Sequence, residues 1–166
     1  MKKVLFIIAM ALTGLVAHAQ QVGYLSCNAV MQSMPEYTQM LQDMALLRSQ
    51  YEAEQKRVEE DFNNKYEEFL DGQAAFPKTI LQKRQSELQE MLDKNVAFKK
   101  ESQRLLAEAE ETMTADIRAI VAQAVEKIGQ ERGYAFILNT DTNAATWMNP
   151  TMGEDITEAV QKLLKD

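Results

Sequence analysis

The chain has 166 residues, with 18 Lys and Arg against 25 Asp and Glu, one His and one Cys, and a formal net charge of −7. So acidic a chain is a poor ligand for nucleic acid, because phosphate contacts draw on Lys and Arg. A lone cysteine closes no internal disulfide, and a single imidazole leaves almost no material for His-based catalysis or a His-rich metal site.

The chain opens with Met1-Lys2-Lys3, an apolar run from Val4 to Leu12, Thr13-Gly14, and then Ala17-His18-Ala19. Positive charge, a short apolar core and a small-x-small site are the three parts of a secretory signal peptide. The run falls short of the roughly 20 residues that span a bilayer. Residues 1–19 are therefore read as a leader cleaved after Ala19. The segment around Cys27 does not fit a lipid-attachment site, because polar Gln20 and Gln21 separate it from the apolar run and Tyr24 stands three residues before it. Without the leader the basic count falls to 16 against 25 acidic residues, a charge of −9, and the only histidine, His18, is lost.

Val22-Gly23-Tyr24-Leu25 reads as a short strand. Asn28 or Ser33 is the expected cap of the next helix, and Pro35 suits the first turn of a helix. From Glu36 to about Gln73 the sole glycine is Gly72 and there is no proline. Steps alternating four and three give Tyr37, Leu41, Met44, Arg48, Tyr51, Gln55, Val58, Phe62, Lys65 and Phe69, a mostly apolar coiled-coil seam. The turn from Asp71 to Pro77 leads into a second proline-free run, Lys78 to about Arg132. Its seam reads Leu81, Arg84, Leu88, Met91, Asn95, Phe98, Ser102, Leu105 and Ala109, then Met113, Ile117, Ile120 or Val121, Ala124 and Ile128.

Two uncapped runs of this length joined by a short turn fold back as an antiparallel hairpin, with an arm about 50–60 Å long. The rival geometry is one straight rod formed with a partner chain. Polar seam positions such as Arg48, Gln55, Asn95 and Ser102 predict an arm that bends. After Gly129 and Gly133, Tyr134–Leu138 reads as a strand, Thr140–Asn143 as a turn and Ala145–Met148 as another strand. Asn149-Pro150 and Gly153 read as breaks, and Asp155 or Thr157 as the cap of a last helix bearing Ile156, Val160, Leu163 and Leu164. The fold class is α+β. A helical-hairpin arm over 36–110, with its tip near 71–78, stands on a small β-containing body from 20–35 and 111–166. So thin a body, without disulfides or metals, calls for self-association.

No catalytic constellation is visible, so the chain is not read as an enzyme and no cofactor or metal is expected. Ser26 and Ser33 have no histidine to activate them. Asp116, Glu126 and Glu131 read as a solvated acidic face, and Asp141-Thr142-Asn143 reads as a turn and not a calcium loop. Large side chains that look off the seam or near the tip (Tyr66, Phe76, Leu92), together with Phe98 on it, are the candidates for contact with a bound partner. Met and aromatic side chains suit adaptable apolar contacts. Lys78, Lys83 and Arg84 form a small basic cluster near the tip, where a weak membrane-surface contact is expected.

The run from Val22 to Glu36, together with Tyr134-Ala135-Phe136-Ile137-Leu138-Asn139-Thr140 and the element from Asp155 to Val160, resembles the OmpH/Skp family of periplasmic chaperones for outer-membrane proteins. The resemblance covers essentially the whole chain after the leader. It implies a homotrimer in which strands from three subunits make the body and three helical arms enclose a cavity. That cavity holds unfolded outer-membrane β-barrel proteins in the periplasm without ATP. By position, Val22, Tyr24, Leu25, Phe136, Leu138 and Trp147 would belong to the oligomerisation body. The main alternative is a structural or adaptor coiled-coil protein of the envelope. The familiar family member is strongly basic, whereas this chain has a pI of about 4.9. Electrostatic capture and lipid binding are correspondingly weakened as expectations.

Overall fold

The computed structural model describes residues 21–142, 147, 149 and 151–165. Strand β1 (Val22–Leu25) is followed by helix α1 (Cys27–Gln32) and the long helix α2 (Pro35–Gly72). A 3₁₀ turn (Gln73–Ala75) leads to helix α3 (Lys78–Arg132), then β2 (Phe136–Asn139), β3 (Gly153–Asp155) and α4 (Thr157–Leu163). The chain divides into two compact units. One holds the described residues up to Met34 and from Arg118 onward, and the other is Pro35–Ile117.

The second unit is an antiparallel helical hairpin. Its cross-helix contacts run in opposite order along the two helices. The Thr114 hydroxyl donates to Met40 Sδ at 3.7 Å, the rings of Tyr51 and Phe98 lie 6.2 Å apart, and Asn95 Nδ2 donates to the Val58 carbonyl at 3.1 Å. Near the turn, Phe69 and Phe76 sit 6.5 Å apart. The helices form where proline is absent from their interiors. Pro35 occupies the first position of α2, where its missing N–H costs nothing. The seam differs from expectation at its start, where Met40 is buried and Leu41 is 51% exposed. Met44 is buried as well, so the α2 seam begins one residue earlier than Leu41. Exposed faces carry i,i+3 and i,i+4 ion pairs such as Arg57 with Glu54 and Asp61, and Arg104 with Glu101 and Glu108. Exposed to water and salt on both sides, such pairs support the helices only weakly.

In the first unit β1 is the centre of a three-stranded parallel sheet, order β2-β1-β3. Its core gathers Leu25, Val30, Met31 and Met34 with Val121, Ala124 and Ile128 of α3, Val160 of α4 and Ile156 just before it. Val121, not Ile120, takes the inward seam position. Ser26 caps α1 by accepting from the Ala29 N–H at 3.0 Å, whereas Ser33 closes its C-terminus. The expected caps Asn28 and Ser33 are thus displaced by a residue that precedes both, since the helix starts at Cys27. At α4 the Asp155 carboxylate accepts the Thr157 N–H at 2.9 Å.

The third strand is a correction. Gly153, read as a break, opens β3 and pairs with Val22. Three residues with two acidic side chains carry no apolar alternation, so this strand is defined by its partner and not by its own pattern. The expected strand at Ala145–Met148 falls mainly outside the described residues, and Trp147 itself is in no strand. The expected leader also lies outside the described residues.

Candidate functional site

No described helix is long and apolar enough to cross a membrane. Each unit presents a surface with exposed apolar side chains.

On the hairpin, Tyr66 and Leu92 are exposed at 45% and 43%. Phe76 and Phe98 are half-buried, Phe76 against Phe69 and Phe98 against Tyr51. Leu41, Leu70 and Val96 join the exposed set. These side chains share a face. Leu41, Leu70, Leu92 and Val96 each come directly after a seam residue (Met40, Phe69, Met91 and Asn95), so each is rotated about 100° from the seam in the same sense. In antiparallel helices an equal offset in that sense turns both helices' residues to one side of the hairpin. Tyr66, four residues before Leu70, lies on that side too, and its ring stacks on Phe62 at 6.0 Å. Glu52, Glu59 and Lys99 occupy equivalent positions and break the apolar face into patches.

Beside the turn, Phe69, Phe76, Leu88 and Met91 line a cavity of about 430 Å³ with Lys65, Glu68, Arg84 and Glu87 around it. The Phe76 ring occupies the space that a side chain at position 72 would need, because a Cβ on Gly72 would come within 2.4 Å of the ring. Of the expected basic cluster, Lys83 and Arg84 both pair with Glu87, at 3.6 and 3.4 Å. The two cations share one carboxylate, which lowers the positive charge there without cancelling it.

In the β-containing unit, Val22 pairs with Phe136 and Tyr24 with Leu138, which places these four on one face of the sheet. Val22, Tyr24 and Leu138 are half-buried and Phe136 is 52% exposed. Leu25 points to the opposite face and is buried, and Trp147 is 78% exposed. On Leu25's side the sheet is clasped. The Tyr134 ring lies over Gly23 and its hydroxyl donates to Glu154 of β3, whose other oxygen accepts from Arg132 at 2.6 Å. Burial, and then the hydrogen bond to Glu154, hold the Tyr134 phenol above its usual pKa.

Asp141 organises the start of α1. It accepts the Ser26 hydroxyl and the Asn28 N–H, both at 2.7 Å. Cys27 is half-buried there, and its thiol is held above its ordinary pKa by burial first and the nearby Asp141 second. A groove of about 840 Å³ opens next to it. Sequence reasoning missed both this groove and the clasp, because each joins residues more than 100 positions apart and neither leaves a local pattern.

No curated protein sequence matches the chain. Its fold is similar to the crystal structure of a candidate outer membrane chaperone (OmpH-like) from Caulobacter crescentus CB15, with a TM-score of 0.71 and 17% sequence identity over 86% of this chain and 82% of that one. The model of the outer membrane protein (OmpH-like) family matches residues 21–164, so the chain belongs to the OmpH-like family.

Proposed function

We propose that this protein is an ATP-independent holdase of the periplasm that keeps unfolded outer-membrane β-barrel proteins soluble, working as a homotrimer with the clients held between its helical arms. Membership of the OmpH-like family supports a chaperone role in general. The observation that carries the more specific reading is the exposed, broken apolar face of the hairpin: Leu41, Tyr66, Leu70, Leu92 and Val96. A spacer or adaptor coiled coil would favour a regular seam with polar outer faces, whereas a chaperone needs low-specificity apolar contacts that re-pack around many sequences. The signal-like N-terminus supports export, with cleavage after Ala19. Lys78, exposed at the tip, leaves room for a weak membrane-surface contact.

The test is to dilute a urea-unfolded outer-membrane β-barrel protein into buffer with the mature chaperone and to monitor light scattering. Aggregation is expected to be suppressed at a modest excess of trimer. Unchanged scattering sinks the holdase reading. Replacing Tyr66, Leu70, Leu92 and Val96 together by Gln, a good helix former, should weaken suppression several-fold. Because these side chains are only partly exposed and Tyr66 stacks on Phe62, the melting temperature is expected to fall by a few degrees, and suppression is compared well below it.

A further inference from the structure

The exposed apolar side chains of the hairpin have a register of their own. Asn95 Nδ2 bonds the Val58 carbonyl, which fixes how the two helices stand beside each other there. Counted outward from that bond, Val96, Leu92, Tyr66 and Leu70 follow one another along the arm at steps of about 6, 7.5 and 6 Å, roughly 20 Å in all. Val96 and Leu92 lie on α3, and Tyr66 and Leu70 on α2, so they line opposite banks of the shallow groove between the helices. Uncharged amides stand across from them. Gln89 and Gln85, three and seven residues before Leu92 on the same side of α3, are level with the stretch from Tyr66 to Leu70. Asn63, three residues before Tyr66, is close to the level of Leu92. All three amides are exposed. Gln89 gives an N–H to Asp93 at 2.9 Å, which leaves its carbonyl oxygen to accept. Glu59, beside the patch, accepts from Gln55 at 2.9 Å, and Glu52 and Lys99 bound the patch at the end away from the turn.

We propose that this face selects client segments in which apolar and polar residues alternate, held extended along the groove. The inference rests on the holdase reading and names the feature of a client that the arm reads. In an extended chain the side chains of one face recur every second residue, about 6.8 Å apart, so roughly seven residues bring four of them onto the four apolar positions. The same chain lying flat turns its unpaired N–H and C=O groups sideways, towards the banks where Gln85, Gln89 and Asn63 stand. A helix laid along the groove would satisfy its own backbone and leave those amides nothing to bond. Strands that cross a membrane in a β-barrel alternate apolar and polar residues, whereas amphipathic helices repeat every three or four. What is read is a pattern and not a sequence, which suits a chaperone that meets many clients.

The test uses two fluorescein-labelled peptides of identical composition, titrated with the mature protein while anisotropy is followed. One carries Val, Leu and Tyr at every second position among Thr, Ser and Lys, and the other has the same residues reordered to a helical three-four spacing. The alternating peptide is expected to bind about ten-fold more tightly. N-methylation of its backbone at two polar positions leaves every side chain in place and is expected to weaken binding about five-fold. Replacing Asn63, Gln85 and Gln89 by Ala should weaken the alternating peptide and leave the reordered one unaffected. The preference should vanish when Tyr66, Leu70, Leu92 and Val96 are replaced by Gln, with helix content checked by circular dichroism. Light scattering with an unfolded β-barrel protein is run on the same samples. Suppressed aggregation without tighter binding of the alternating peptide overturns the pattern reading and leaves the holdase standing. So does a preference that survives the four replacements, or one indifferent to N-methylation. Tighter binding of the reordered peptide gives the groove to a third helix and overturns the proposal as well. Loss of both suppression and peptide binding sinks the holdase reading and the inference with it.

Discussion

Gly23 sits where two side chains converge. A Cβ there would come within 3.1 Å of Ile137 Cγ1 and 3.4 Å of the Tyr134 ring, which crosses β1 on its way to Glu154. The absence of a side chain lets the ring lie flat over the central strand. Overpacking a site of this kind costs about 1–3 kcal/mol. Gly23→Ala is therefore expected to lower the melting temperature by several degrees in a circular-dichroism melt, and an unchanged midpoint would mean that the ring is not held there. Cys27 offers a second measurement. Its thiol is raised above the ordinary value of 9.0 because the thiolate is desolvated and faces Asp141. The folded chain should thus react slowly with iodoacetamide, with a pH midpoint above 9.0. The unfolded chain ionises first, so this contribution to stability is full below the unfolded pKa and is lost as pH rises through the folded one. Cys27→Ala should remove that alkaline loss.

Among the elements, the hairpin was the part most legible in the sequence. Proline-free runs and a four-three apolar spacing gave α3 as Lys78–Arg132 and α2 to within a residue or two. The short strands were legible only in part. Val22–Leu25 is apolar and stands out, but β3 is Gly-Glu-Asp and is a strand only because Val22, Gly23 and Tyr24 bind it. Polar seam positions were also visible, although their partners were not. Asn95 bonds the Val58 carbonyl, and the buried Ser102 bonds back to Phe98 O at 2.7 Å. A helix carbonyl already has its own donor four residues on, so losing the Asn95 bond leaves no orphaned group on α2. Asn95→Leu should accordingly stabilise the hairpin by roughly 1 kcal/mol through burial. Asn95→Asp, which aims a carboxylate at a carbonyl, should destabilise it by about 1–3 kcal/mol. Denaturant midpoints that move in the same direction for both variants would contradict the assigned contact.

For the whole molecule the governing quantity is charge. The segment 48–110 carries 11 basic and 14 acidic residues. Several of the basic residues are spent on ion pairs within their own helix, including Lys56, Arg57, Lys83, Arg84, Lys94 and Arg104. Little free positive field remains to draw in an acidic client, so on the proposed function capture must come from apolar contact and confinement. Salt distinguishes the two mechanisms. Exposed charges more than about 10 Å apart are largely screened at 0.1 M salt and almost wholly at 1 M, while burial of apolar surface is not weakened by added salt. Suppression of client aggregation by the mature protein is therefore expected to hold level or improve between low salt and 0.5 M sodium chloride. Affinity measured by fluorescence anisotropy of a labelled client should change by less than about three-fold across the same range. A ten-fold loss would mean that charge, and not the face bearing Tyr66, Leu70, Leu92 and Val96, does most of the holding.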